Sequence, residues 1–355
     1  MKPSRLGFGT AGLMGAALTG SGRLRLLETA WEAGIRHFDT APLYGQGEAE
    51  TVLGRFLRNR RDTLSLTSKF GLLPASHPWA MRPLIPLARL ANRRLLPPLR
   101  SGLMRVVSRP GRLAAPQESG GGAQRNDAVQ PGAGAEAKAS AEPGAPAMAL
   151  RRQPPIPYTP AMLRQQLETS LRKLQTDHID TYLLHEGHAD YLHDDFLETL
   201  DRLVQEGKIL GYGIGTERWQ SRCLLEAFPH QPWILQIPDS IVDDDTDWFA
   251  SRSAGPLFTH SALRLDRPGA HERIERLLPT WAELCGRDPS DPTLPGELLM
   301  ALALSRNPHG CVIFSSANRA RIAAHAALPM AMETLEEQAR AWLRQHASPP
   351  ILPPG

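Results

Sequence analysis

IRHFDTAPLYGQGEAETVLGRFLRNRRDTLSLTSK, residues 35–69, reads as strand, helix, strand. Ile35–Phe38 is the first strand, with Asp39 at its C-terminal end. Glu48–Arg60 is the helix, and Leu64–Thr67 is the second strand, with Lys69 just past it. Two strands joined through a helix lie parallel, and the crossover is right-handed. The same unit repeats on both sides. Upstream, Leu6–Gly9 is a short strand ending in a Gly-rich turn. Leu24–Ala33 is a helix with Leu26, Leu27, Ala30 and Trp31 at helical spacing, and Gly34 suits its C-cap.

Downstream, Pro160 suits a helix start, and Met162–Leu174 is amphipathic. Ile179–Leu184 is a buried strand with His185 at its end, and Phe196–Glu206 is a helix capped by Gly207-Lys208. Strand Ile209–Ile214, helix Ser221–Ala227 and strand Trp233–Ile237 follow. Asp247–Ser251 reads as the seventh strand, with helices near 271–285 and 295–306. Cys311–Phe314 is the last strand and Arg319–Ala327 the last helix of the repeat. Eight strands, each followed by a helix, close into a (β/α)8 TIM barrel. One domain over 1–355 is expected, with a C-terminal helix at 333–346 as a cover.

The alternation breaks between strands three and four, so residues 73–157 are read as an inserted loop. Its first part, 79–113, is a basic arm with eight arginines and no acid. Its second part, 114–157, is Ala-, Gly-, Pro-, Gln- and Ser-rich and is expected to be disordered, because it cannot bury enough apolar surface to offset chain entropy. Trp79 and Tyr158 flank the insertion and are candidates to line a substrate mouth. The net charge of +3 is too small and too diffuse to indicate a nucleic-acid partner. No run of about 18 apolar residues predicts a membrane span. Cys223, Cys285 and Cys311 have no metal-ligand spacing, so no metal site is expected and a reducing, cytoplasmic setting is the simplest reading. With 35 arginines against five lysines, each lysine merits inspection.

Functional residues of such a barrel lie at the C-terminal ends of its strands. Asp39, Tyr44, Lys69 and His185 fall there, after neighbouring strands two to four, and can converge on one mouth. A free phenol has a pKa of about 10 and is a poor proton donor near neutrality. The Lys69 ammonium is expected to lower that of Tyr44, and Asp39 to keep Lys69 charged. A phenol so tuned serves as general acid to a carbonyl oxygen or as base to an alcohol, while His185 orients that oxygen. Proton transfer alone does not reduce a carbonyl, so a nicotinamide cofactor is required. His178, His188, His193 and His260 carry no supporting pattern and are expected at the surface or in loops.

Four segments together resemble the aldo-keto reductases: Ile35–Glu50, Leu66–Gly71, Leu171–His185 and Gly207–Gly215. The resemblance covers roughly residues 5–72 and 158–328 and leaves out the insertion. It implies an NAD(P)H-dependent carbonyl reductase on a TIM barrel, with Asp39, Tyr44, Lys69 and His185 as the catalytic tetrad. It further implies that Asp39 meets the nicotinamide ribose, and that Gln236 and Thr216 meet the carboxamide. Ser315, Ser316 and Arg321 fall in the 2′-phosphate region, favouring NADPH, with NADH as the other possibility. The last βα turn, Val312–Arg321, adds hydroxyls and backbone N–H groups at a helix start, an anion site in this barrel.

Departures from the family pattern are Ser315 in place of lysine, His325 in place of asparagine, and Gly215-Thr216 in place of Ser-Asn. Gln236–Asp239 departs from the aromatic-Asn pattern, and Phe249–Leu257 lacks a tyrosine to stack on the nicotinamide. The expected partner is a small carbonyl or sugar substrate. The alternatives are an aldose or alcohol dehydrogenase running the reverse reaction, and a cofactor-sensing interaction protein.

Overall fold

The computed structural model describes residues 4–13, 20–73 and 158–347. Eight parallel strands close into a barrel in sequence order: β1 Leu6–Gly9, β2 His37–Asp39, β3 Ser65–Phe70, β4 Thr181–His185, β5 Tyr212–Gly215, β6 Ile234–Pro238, β7 Phe258–His260 and β8 Cys311–Phe314. The surrounding helices are α1 Gly20–Glu32, α2 Ala49–Leu57, α3 Pro160–Leu174, α4 Asp194–Gln205, α5 Arg218–Ala227, α6 Thr246–Ala250, α7 Ala270–Leu284, α8 Leu294–Arg306, α9 Arg319–Glu333 and α10 Glu337–His346. The expected insertion at 73–157 lies outside the described residues, apart from Leu73 and the Tyr158 that follows it.

Strand periodicity sorts the side chains into two sets. Phe8, Phe38, Leu66, Phe70 and Leu184 join the apolar shell packed under the helices; Phe38 meets Phe56 of α2 at 5.2 Å between ring centroids. The residues one step along face the barrel axis and are mostly polar or small. His37 of β2 stacks on Phe258 of β7 at 4.6 Å. These strands are not neighbours, so the contact crosses the interior. A methyl group on Gly7 would come within 2.8 Å of the His37 ring, which is why the strand beside it carries no side chain there. Outside the barrel, a Cβ on Gly54 would sit 2.2 Å from the Lys173 carbonyl, so α2 and α3 approach over a bare backbone.

Three boundaries differ from the sequence reading in ways that matter. The seventh strand is Phe258–His260, not Asp247–Ser251, which is mostly the one-turn helix α6. Short apolar runs do not separate strand from helix. Phe249 anchors that turn in the shell, and Phe258–His260 shows no apolar run because Thr259 and His260 are polar. Lys69 lies inside β3 rather than past it. The C-terminal cover begins at Glu337, because α9 runs on to Glu333; it packs on α7, with Trp342 stacked on Trp281 at 5.9 Å.

The departure at Asp239 has a structural role. Its carboxylate is fully buried, takes Arg306 Nε and Nη2 at 3.1 and 3.0 Å on one oxygen, and takes Arg218 at 2.8 Å on the other. Arg306 also donates to the Ala347 carbonyl, tying the end of the C-terminal cover to β6.

His37 makes the barrel acid-sensitive. It is wholly buried, with Nδ1 2.8 Å from Ser65 Oγ, and burial pushes its imidazole down to about 4. The unfolded chain takes up this proton near pH 6.5 and the folded chain only near pH 4. Stability is therefore full above the higher value and falls as the pH drops between the two, by an amount on the order of 3 kcal/mol for this one group. Melting temperatures should decline through that window in the wild type and decline less steeply in His37→Gln. Parallel declines would show that His37 is not the group titrating.

Candidate active site

The register aligns Asp39 with Thr67 on β3, so Lys69 stands two residues farther toward the C-terminal rim and its side chain reaches back across the strand gap. Lys69 Nζ donates to Asp39 Oδ1 at 2.6 Å and to the Thr40 carbonyl at 3.1 Å, and it also interacts with the Tyr44 hydroxyl. Tyr44 opens the 3-10 turn Tyr44–Gly47, which sets its ring centroid 5.0 Å from the ammonium. His185 ends β4, and its imidazole stands perpendicular to the Tyr44 ring at 5.9 Å. The four residues scattered over the sequence thus form one group. Thr40 is held in turn by a buried 2.9 Å bond between its hydroxyl and that of Thr10.

Charges in this group are set by burial as much as by partners. Desolvation opposes the Lys69 ammonium, but Asp39 and Tyr44 outweigh it and hold the lysine above its ordinary value. The same desolvation raises the Tyr44 phenol, and the pull of Lys69 does not cancel it. The expectation that Lys69 leaves Tyr44 with a lowered pKa is therefore overturned in sign: lysine lowers it relative to the same pocket without lysine, not relative to water. Burial, reinforced by Lys69, pushes His185 down to about 3, so the ring is neutral near pH 7. Its Nδ1 is buried without a hydrogen-bond partner among the described residues.

A cavity of about 330 Å³ opens beside the group. Asp39, Tyr44, Gln236, Gly9 and Ser315 are among the residues that line it. Lys69 and His185 are not among its lining residues; Lys69 is bonded to Asp39, and the His185 ring packs on that of Tyr44. Gln236, on β6, donates Nε2 to Asp39 Oδ1 at 2.8 Å. Ser315 donates to the Gly9 carbonyl at 2.6 Å, and a Cβ on Gly9 would lie 2.7 Å from that hydroxyl, so the cleft floor needs a glycine. A slot with a carboxylate, a primary amide and bare backbone along it fits a nicotinamide dinucleotide.

The remaining site candidates divide. Ser316 and Arg321 lie at the start of α9 as expected, with Arg321 exposed. The backbone N–H groups there are not all free: Asn318 Oδ1 accepts from Ala320 and Arg321 at 2.9 and 3.3 Å. An anion at this turn must rely on side chains or displace the cap. Thr216 is buried, with its hydroxyl 2.7 Å from Ser221 Oγ, and does not line the cavity. Tyr158 is buried against Phe70 and Phe196 rather than placed at a mouth, and Trp79 lies outside the described residues.

His260 corrects the sequence reading. It ends β7, lines the cavity, bonds Ser261 Oγ through Nδ1 at 2.8 Å, and is pushed down to about 4 by burial. Misplacing the seventh strand hid it; a histidine at a strand's C-terminal end was the available signal. His178 and His188 pair with Asp177 and Asp190 near the surface, as expected. No group of three metal-ligating side chains occurs among the described residues, and no described helix is long and apolar enough to cross a membrane.

Comparison with known proteins bears on the family and the fold. The model of the aldo/keto reductase family matches residues 5–83 and 151–249. A pyridoxal 4-dehydrogenase of Microbacterium luteolum is 43% identical over 70 residues, 19% of this chain and 20% of that protein. A D-threo-aldose 1-dehydrogenase of a Pseudomonas species is 43% identical over 76 residues, 21% of this chain and 23% of that protein. The chain thus spans about a fifth of the length of these curated relatives. The holo form of an aldo-keto reductase from Bacillus halodurans superposes over 97% of this chain and 91% of its own, with a TM-score of 0.60 and 20% identity.

Proposed function

The chain belongs to the aldo/keto reductase family, and from that premise we propose that it is an NAD(P)H-dependent oxidoreductase acting on the carbonyl of an aldehyde, ketone or sugar. The observation that carries the proposal is the buried Lys69–Asp39 pair set against the Tyr44 phenol at the cavity edge. When bound, the reduced nicotinamide supplies the hydride. The protein's part is to hold and move the proton. Tyr44 Oη donates it to the carbonyl oxygen as that oxygen gains charge. Burial holds the phenol above its ordinary pKa, so Tyr44 is protonated before transfer and its proton leaves only as the neighbouring ammonium offsets that cost. Lys69 stabilises the phenolate left behind, and Asp39 keeps the lysine charged. His185, neutral, offers an uncharged donor to orient the same oxygen.

Asp39 and Gln236 are the residues offered to the nicotinamide end, to its ribose hydroxyls and its carboxamide. Ser315, Ser316 and Arg321 are offered to the adenosine end, and Arg321 favours NADPH because a guanidinium grips a phosphate bidentately. Thr216 has its hydroxyl committed to Ser221, which makes it the weakest of the proposed contacts. The reverse reaction, oxidation of a sugar or alcohol, uses the same residues, and the two curated relatives are named as dehydrogenases.

The test is absorbance at 340 nm with NADPH and with NADH, in both directions, against aldehydes including pyridoxal, ketones and aldoses. Turnover with a preference for the phosphorylated cofactor that Arg321→Ala abolishes supports the reading. Dinucleotide binding without turnover on any substrate supports the cofactor-sensing alternative, and no binding overturns both.

A further inference from the structure

Asp39 Oδ1 is shared. The Lys69 ammonium reaches it at 2.6 Å and the Gln236 amide at 2.8 Å, and all three side chains are buried. Gln236 comes from β6 and Lys69 from β3, on opposite parts of the barrel, so the carboxylate bridges the interior. Gln236 also lines the cavity, and among the described residues no donor is paired with its Oε1. One end of a single planar amide is therefore fastened to the Asp39–Lys69 pair, while the other is an acceptor open to a ligand.

We propose that Gln236 is a positioning residue that transmits occupancy of its Oε1 by an N–H donor to Tyr44, through Asp39 and then Lys69. This rests on the reading that a nicotinamide dinucleotide uses the cavity, and it concerns what that contact does to the proton donor. Hydrogen bonds in series polarise one another. An N–H donor on Oε1 strengthens the bond from Nε2 to Asp39. A carboxylate held more firmly by Gln236 spreads its charge toward that side and neutralises Lys69 less. The ammonium then acts more strongly on the Tyr44 hydroxyl, and the phenol gives up its proton more readily. The groups that act on Tyr44 are Lys69, Asp39 and Glu186, with the neutral His185 ring perpendicular to its own; the relay changes the first two. No covalent step is involved. The device links acidity to the presence of the cofactor's amide.

The experiment follows the ionisation of Tyr44 directly, by the 13Cζ shift of labelled tyrosine, assigned by its loss in Tyr44→Phe. Three states of the wild type are compared: free, saturated with NADP+, and saturated with its 3-acetylpyridine analogue. The analogue carries the same positive ring charge but an acetyl group that has no N–H to donate. NADP+ is expected to raise the Tyr44 ionisation constant about threefold more than the analogue does, the equivalent of one modest hydrogen bond. Equal effects of the two dinucleotides would overturn the proposal. In Gln236→Leu the difference between them should vanish.

The free protein supplies an arm that needs no cofactor. Gln236→Leu concentrates charge on Asp39, and its Tyr44 should ionise about threefold less readily than in the wild type. An unchanged ionisation constant in folded Gln236→Leu also overturns the proposal. Failure of both dinucleotides to bind, followed by tryptophan fluorescence, counts against the proposed function instead, and the relay then stands or falls on the free-protein arm.

Discussion

Tyr44→Phe should lose on the order of 10²–10⁴-fold in turnover, the range associated with removing a positioned general acid, with dinucleotide affinity unchanged. The substitution removes one oxygen and little else. The phenyl ring keeps its edge contact with His185 and its place beside the Lys69 ammonium. Asp39 and Gln236 at the cavity wall are untouched. The loss should appear in kcat and kcat/KM alike, because the proton is given in the transition state and not on binding. The reverse reaction should fall in parallel. A Tyr44→Phe variant that reduced carbonyls within about tenfold of the wild type would assign the proton donor elsewhere, and the neutral His185 would be the first group to examine.

The second large effect belongs to Lys69→Met, and it should appear in stability as well as rate. The Lys69 and Asp39 side chains are only 3% and 6% exposed. Removing the ammonium leaves a buried carboxylate whose remaining side-chain donor among the described residues is Gln236. Breaking a buried pair in this way costs about 3–5 kcal/mol, far more than the pair contributes net. Adding Asp39→Asn should return most of that loss, because the charge needing a partner has gone. Activity should not return. Without lysine, the desolvated phenol has nothing to stabilise its anion, and turnover near neutral pH should fall by about 10²–10⁴-fold in the single and the double variant. Equal stability of Lys69→Met and wild type would show the pair to be far better solvated than the geometry indicates. Recovered activity in the double variant would remove lysine from the proton-transfer path.

Much of this was legible before any coordinates. The strands from Leu6 to Phe314 recur with helices between them, and that order permits little besides a closed parallel barrel. Local pattern carried it: apolar runs of strand length, helical spacing and glycine stops. The positions of Asp39 and His185 were equally readable, since a residue at the end of a strand is at the end of a strand in one dimension as in three. Errors fell where pattern and environment part company. Residues 247–251 look like a strand because Trp248 and Phe249 are adjacent and apolar, yet only Phe249 enters the shell as fully buried. Phe258–His260 does not look like one, because its inward residues face a polar interior. His260 was lost with it.

What the amino-acid order determined by itself was the barrel, the rim and the identity of the acid, phenol, amine and imidazole placed there. Each of those depends on neighbours within a few residues along the chain. The tertiary structure alone decided how the four behave: that Tyr44 is raised rather than lowered, that His185 is neutral, that Gln236 and Lys69 share one oxygen of Asp39, and that Asn318 already caps the last helix. Desolvation and hydrogen-bond sharing depend on which distant segments meet across the barrel and how much water they exclude, and no window of sequence contains that information.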